Sequence, residues 1–356
     1  DALLTEPLPN PQPISPANPG GDDRPGPLVI TQGDDRSRAG RGADDPGVIE
    51  PDDGLRPPPP PQDRGMLDEA LADGSAPVRP AAENDGTNPA DQNDPARAIR
   101  MYLDAADRLI ARNDPLAARQ ALWDAMRVPG LDELELSVLR GRLGSMNEEL
   151  IFGPTYIAGD PLSTLYTVKP GDALSRIARA QKVHTHWRLI QRVNRLSSPE
   201  RIRVGQKLKL VRGPFHAIVD KSDYRLDLFR GETEKPETWV YIRSFEVGLG
   251  EGNSTPIGHF IVRPDSKLEN PAWVNPRNPS EKYSSDDPAN PIGEFWIGIE
   301  GLGDAAAYAG YGLHGTIEPD SIGESRSMGC VRLLPDDIAL LYECLVEGES
   351  LVQIRE

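Results

Sequence analysis

Tyr311-Gly-Leu-His314-Gly315-Thr316-Ile-Glu-Pro-Asp-Ser-Ile-Gly323-Glu-Ser-Arg-Ser327-Met328-Gly329-Cys330-Val-Arg332-Leu333 holds one histidine and one cysteine, each bracketed by small residues. A thiol is a weak nucleophile until its proton is taken, and an imidazole can take it near neutral pH. Glycine beside the cysteine lets a substrate approach the backbone, and lets the N–H groups of Gly329 and Cys330 aim at a developing oxyanion. A lone Cys and a lone His are more often a small buried hydrophobe and a satisfied interior residue. The run of small residues around both weighs toward chemistry.

Around this stretch the sequence reads as strands. His216 to Lys221, Tyr224 to Phe229 and Trp239 to Val247 alternate apolar and polar side chains. Lys221-Ser222-Asp223 and Arg230-Gly231-Glu232 read as hairpin turns between them. Helical patterning is scarce until Asp336, where a helix carries Cys344 on its apolar face. An antiparallel sheet closed into a barrel or sandwich is the expected architecture.

His314-Gly315-Thr316, followed by Ser327-Met328-Gly329-Cys330-Val331-Arg332, resembles the composite motif of the L,D-transpeptidases, the YkuD-type catalytic domain. Thr255-Pro256-Ile257-Gly258-His259-Phe260 and Asn290-Pro291-Ile292-Gly293-Glu-Phe-Trp296 match two further family segments. Many members have a second histidine before the Gly-Cys pair; Met328 stands there, which leaves His314 as the base. The resemblance implies a catalytic domain over 214–356 in which Cys330 is nucleophile and His314 its base. It implies supporting roles for Gly315, Thr316, Ser327, Gly329 and Arg332. The Gly315 carbonyl would orient the imidazole, and Ser327 would shape the loop by a side-chain hydrogen bond. Arg332 would either steer an anionic group or pin the loop. Cys330 and Cys344 are both expected reduced, Cys344 buried and inert.

Upstream, Leu165 to Val168 reads as a strand and Pro170-Gly171-Asp172 as a turn, with Asp172 placed to cap a helix. A second helix follows over 185–194, and Ile202 to Leu210 supplies a closing strand of period two. This β-α-α-β order over 163–212 resembles the LysM domain. The matched marks are Tyr166-Thr-Val-x-x-Gly171-Asp172-x-Leu174, Asn194, and Ile202-x-Val-Gly-Gln-x-Leu208. LysM domains bind N-acetylglucosamine-containing glycans, so the resemblance implies glycan contacts from Gly171, Asp172, Ala173, Leu174, Asn194 and Ile202. His184 and His186 have no further ligand cluster beside them and read as surface histidines, not a metal site. No cofactor motif occurs.

Residues 93–152 show apolar stripes at helical spacing. Asp94-Pro95 marks one helix start, Asn113-Asp114-Pro115 a break, and Leu134 to Leu150 a third helix. The Ala-rich pair resembles a single tetratricopeptide unit, either a protein-docking surface or a small spacer packed on its neighbour. Residues 1–92 are rich in Pro, Gly, Asp and Asn, with Pro57 to Pro61 consecutive, and read as a disordered tether.

The net charge of −17 is unevenly spread: −11 over 1–92, −3 over 93–162, +10 over 163–212 and −13 over 213–356. One basic module between acidic partners argues against a smeared nucleic-acid surface and for a module facing something anionic. No apolar run is long enough to span a bilayer. The chain begins at Asp1, so a leader upstream is left open.

The resemblances together imply a peptidoglycan L,D-transpeptidase outside the cytoplasmic membrane, wall-associated, in the periplasm or secreted. It would form 3→3 cross-links between stem peptides. Three alternatives stay open: a wall-binding protein with an inert C-terminal domain, a hydrolase using the same acyl-enzyme, and attachment of a Lys-bearing protein to the wall.

Overall fold

The computed structural model describes residues 95–356 and the backbone of Ile30–Thr31. The tether reading of 1–92 and the Asp94 cap otherwise lie outside the described residues. The C-terminal part of the chain is a mixed, mainly antiparallel eight-stranded sheet. Its strands are β4 (Phe215–Asp220), β5 (Arg225–Glu232), β6 (Lys235–Glu246), β8 (Gly258–Glu269), β11 (Phe295–Leu302), β12 (Gly312–His314), β14 (Val331–Arg332) and β15 (Leu351–Arg355). They run in the order β14-β12-β11-β8-β15-β4-β5-β6, with β12/β14 and β4/β15 parallel. The ends of this sheet meet. Gly248, just past β6, exchanges both backbone hydrogen bonds with Arg332 of β14, at 2.9 and 2.8 Å. This single antiparallel bridge brings the two ends of the curled sheet together.

Val219, Leu226, Ile242, Phe260, Val262, Ile297, Leu313 and Val331 fill the interior. Helix α6 (Pro335–Cys344) adds Ile338, Leu341 and Cys344 to it. Both cysteines are free thiols; Cys344 is fully buried, and desolvation pushes its thiol pKa up.

The sheet corrects one turn expectation. Residues 230–232 continue β5, and the chain reverses at 233–234. The Trp239 indole lies over Gly231, where a Cβ would sit 2.3 Å from the ring, and its Nε1 donates to Glu232 O at 3.0 Å. A glycine read as a turn signal is there to admit a neighbouring side chain.

Helices α1 (Pro95–Ala111), α2 (Pro115–Met126) and α3 (Glu133–Asn147) precede a π-helical turn over Glu148–Phe152. The third helical run therefore includes the expected Leu150, its last turn being wound as a π-helix. Asp132 and Glu135 form a reciprocal capping box at its start. The apolar stripes of these helices pack on the outer face of the sheet: Ala106, Leu122, Leu139 and Leu143 meet Ile218, Phe229, Trp239 and Tyr241. Asn147 fixes the end of α3 by donating Nδ2 to Ile242 O at 2.9 Å. The stripe is thus covered by the chain's own sheet, so a protein partner would have to use some other face of this segment.

Between helices and sheet sit β2 (Ser163–Thr167), α4 (Leu174–Ala180), α5 (Trp187–Val193) and β3 (Lys207–Val211). The closing strand is shorter than expected because Gly205, at φ +84°, turns the chain at 203–206 before β3 begins. This unit is held on both sides. Lys209 is buried, and its Nζ donates to Leu150 O, Gly153 O and Thr155 O at 2.6, 2.8 and 3.0 Å. Toward the sheet, Arg192 pairs with Glu343 at 2.5 Å, Arg188 Nε with Glu269 at 3.0 Å, and His184 with Glu349 at 2.7 Å. His186 is not a surface histidine as expected: its ring packs against Tyr342 of α6, its backbone N–H donates to Glu343 O, and burial lowers its pKa to about 3.

Replacing Lys209 by Met would remove the ammonium that gathers three carbonyls just past the helical segment, Leu150 O being buried. Lys209→Met is expected to lower unfolding free energy by about 2–4 kcal/mol, as breaking a buried charged hydrogen-bond set does. Urea denaturation followed by tryptophan fluorescence checks this.

Candidate active site

The short strands β12 and β14 carry the two residues that matter most. They run parallel and adjacent, with Leu313 opposite Val331 and His314 opposite Arg332. Because side chains alternate across a strand, Leu313 and Val331 go into the core together and leave His314 and Arg332 on the other face. Cys330, one residue before β14, and His314 both line one cavity of about 250 Å³. Four aromatic residues, Trp273, Tyr283, Trp296 and Tyr311, form much of its wall.

The imidazole is fixed on two sides. His314 Nδ1 donates to Gly315 O at 2.6 Å, which assigns the proton to Nδ1 and leaves Nε2 as the basic nitrogen. Trp296, its partner across β11/β12, stacks against the ring at 5.9 Å between centroids and an interplanar angle of 22°. Burial in this wall lowers the His314 pKa to about 4, with the Arg332 charge contributing. The same desolvation pushes the Cys330 thiol up to about 12, opposed by a hydrogen bond from Gly312 N–H and by Arg332. At neutral pH both the thiol and the imidazole that line this cavity are neutral.

Glycines make the close approaches possible. A Cβ on Gly312 would sit 2.6 Å from the Trp296 ring and 2.7 Å from Ile297 O. Gly329 has φ +123°, and a Cβ there would meet the Tyr311 ring at 2.7 Å. Ser327 holds the loop: its Oγ donates to Cys330 O at 2.6 Å and accepts from Gly329 N–H at 3.1 Å. That second bond corrects one expectation. The Gly329 N–H is engaged within its own loop and does not point at an oxyanion. Thr316 accepts from Glu318 N–H at 3.0 Å and thereby shapes the turn after His314. Arg332 Nη1 reaches Glu318 at 3.1 Å, whereas its Nε is buried with no protein partner.

The two outer motif segments serve the same cavity indirectly. Thr255 Oγ1 accepts from Gly250 N–H at 2.8 Å. Gly250 belongs to β7 (Leu249–Gly250), which pairs with β13 (Ser325–Ser327) directly before the cysteine loop. Asn290 Nδ2 donates to Pro271 O at 2.8 Å, tying the Asn-Pro segment to the foot of a small capping sheet. That sheet is β9 (Ala272–Val274) with β10 (Lys282–Tyr283) on one side and the N-terminal strand β1 (Ile30–Thr31) on the other. It brings Trp273, Asn275, Glu281 and Tyr283 to the cavity, residues the sequence reading did not single out. Their one signal was two aromatics flanking a polar, Asn- and Pro-rich stretch.

The sequence motifs have counterparts. The L,D-transpeptidase catalytic domain, YkuD, matches residues 214–354, and the LysM domain matches residues 166–211. Among relatives, a candidate L,D-transpeptidase of Bacillus subtilis, YqjB, is 33% identical over 105 residues, 29% of this chain and 54% of that protein. A second candidate, YkuD of Bacillus licheniformis, is 27% identical over 189 residues, 52% of this chain and 94% of that protein. The chain thus spans about half the length of the first relative and nearly all of the second. A solved L,D-transpeptidase from Mycobacterium smegmatis superposes with a TM-score of 0.29 at 16% identity, covering 43% of this chain and 65% of that one.

The LysM residues separate into two groups. Gly171, at φ +81°, and Asp172 shape the first loop, where Asp172 Oδ2 accepts from Tyr166 OH at 2.9 Å and Lys169 N–H at 2.7 Å. Ala173 precedes α4, and Ile202 lines a shallow groove with Glu200, Arg201, Arg203, Val204 and Gln206. Leu174 and Asn194 do not fit a ligand-contact role. Leu174 is buried in the module's own core. Asn194 donates Nδ2 to Ile190 O and Lys209 O and accepts from Lys209 N–H, all at 2.8 Å, clamping α5 to β3.

With both groups neutral at rest, alkylation of Cys330 by iodoacetamide at pH 7 is expected at least about tenfold slower than that of a free thiol of pKa about 8.5. Its rate should still be climbing above pH 9. A rate already level from pH 6 would show a preformed thiolate–imidazolium pair.

Proposed function

We propose that this chain is a peptidoglycan L,D-transpeptidase in which the Cys330 sulfur carries the acyl group. The observation that supports this best is the shared cavity. It joins a buried thiol to an imidazole whose Nδ1 is anchored to the Gly315 carbonyl, leaving Nε2 to take the thiol proton. Substrate binding would close the cavity and assist that transfer, since the pair is not ionised beforehand.

The thiolate attacks the carbonyl joining the third stem residue, a diamino acid, to D-alanine. The Cys330 N–H is the backbone donor proposed for the tetrahedral oxyanion. The intermediate collapses, D-alanine leaves with the proton from His314, and a thioester remains on Cys330. An amine of a neighbouring stem then displaces the sulfur and forms a 3→3 cross-link. Arg332, with one face on Glu318 and its Nε turned to no protein group, would hold an anionic group of the stem. The LysM unit would bind glycan through the loops around Gly171 and Ile202, placing the enzyme in the cell envelope. Among the described residues no helix is long and apolar enough to cross a membrane.

Cys330→Ala is expected to abolish D-alanine release from purified tetrapeptide muropeptides. His314→Gln should lower kcat/KM by roughly 10³-fold, the scale of losing a positioned base. Mass spectrometry of the products separates cross-linked dimers from hydrolysed tripeptides. Retained D-alanine release in Cys330→Ala would overturn the proposal. Because His314 is buried and its pKa lies near 4, the acid limb of kcat/KM is expected well below pH 6.5.

A further inference from the structure

We infer that Glu281 docks the amine acceptor at the mouth of the Cys330 cavity, an assignment that rests on the transpeptidase reading above. Among the residues lining the cavity, only Glu281 and Arg332 carry a full charge at neutral pH. Arg332 is matched by Glu318. Glu281 meets no cation among the described residues and is held instead by neutral carboxamides. Its Oε2 accepts from Asn275 Nδ2 at 2.6 Å and its Oε1 from Asn278 Nδ2 at 3.1 Å. The backbone locks the same loop: Asn275 N–H donates to Glu281 O at 3.0 Å, and Glu281 N–H to Asn278 O at 2.9 Å. A carboxylate offers about four lone-pair sites, so about two remain for a ligand.

The gradient of burial says which substrate meets it. Cys330 and His314 lie at the buried end of the cavity, whereas Glu281 is exposed. The donor becomes bonded to sulfur at the buried end, and the second substrate would approach from the exposed side, where Glu281 stands. That substrate is an alkyl amine, mostly ammonium near neutral pH because such groups have a pKa of about 10. A fixed carboxylate at the opening concentrates the cation beside the thioester. The ammonium releases one proton to water at the mouth. Its nitrogen then attacks the thioester carbonyl, the C–N bond forms, and a second proton passes to His314. The C–S bond breaks and that proton goes to the Cys330 sulfur, so this step releases one proton, matching the one that the freed D-alanine amine takes up from water. Water, uncharged, gains nothing from Glu281, so this residue biases the acyl-enzyme toward transfer over hydrolysis.

The test uses the full chain with purified disaccharide-tetrapeptide as donor and a soluble amine-bearing stem peptide as acceptor. In Glu281→Gln the acceptor KM should rise about two- to fivefold, the scale of one exposed, partly screened ion pair. The ratio of hydrolysed to cross-linked product should rise with it. Single-turnover D-alanine release from donor alone should change less than about twofold, since the donor reacts at the buried end of the cavity, away from Glu281. Added salt should raise the acceptor KM of the parent protein but not of Glu281→Gln, and Glu281→Asp should fall between them. An unchanged acceptor KM in Glu281→Gln, or an equal fall in donor acylation, overturns the assignment. A parent protein that releases no D-alanine would instead overturn the transpeptidase reading, and this inference with it.

Discussion

The parallel pairing of two very short strands is the constraint on which the rest of this molecule depends. Leu313 opposite Val331 is an apolar pair with no exposed surface to speak of. Its burial forces the intervening face of both strands toward the cavity, which is where His314 and Cys330 lie. Two-residue strands cannot hold such a register alone. They are held by the core beneath, by the Gly248–Arg332 bonds that close the sheet, and by Ser327 bridging the cysteine loop. The desolvation that makes the dyad neutral is a direct consequence of the same packing.

The uneven charge along the chain finds part of its cause in the assembly. The basic LysM unit sits on acidic groups of the sheet region through Arg192–Glu343, Arg188–Glu269 and His184–Glu349. Arg192 and Arg188 thus find part of their anionic counterpart in the same chain. Lys209 fastens the opposite side to the end of the helical segment, and that segment covers the outer face of the sheet. The LysM unit is consequently seated between the two, not hung on a flexible linker. Arg188 meets Glu269 at the end of β8, just before the capping strand that brings Trp273 to the cavity.

Local chemistry explains what could be read directly. The His-Gly-Thr and Ser-x-Gly-Cys motifs are contiguous, and their geometry is set by neighbours in sequence: Gly315 O for the imidazole, Ser327 Oγ for the cysteine loop. The alternation of β6 was legible because its two faces differ in burial, whereas β4 is buried along its whole length and its polar residues are satisfied inside the fold. Gly231 misled because a turn and a tryptophan lying on the backbone both ask for glycine. Asn194 and Leu174 misled because a motif position kept for packing looks, in one dimension, like one kept for a ligand. Glu281 and Trp273 gave no signal, since they reach the cavity only when β9 and β10 fold over it.

The sequence by itself determined the order of units, the sulfur and imidazole, the glycines that admit close approach, and the sign of charge on each unit. Each of these depends on residue type or on spacing within about twenty positions. The tertiary structure alone decided that the helical stripe is covered, that Gly329 N–H is engaged, that the thiol and imidazole rest uncharged, and that Glu281 stands at the cavity mouth. Those properties depend on groups brought together from distant parts of the chain, and on the water that packing removes.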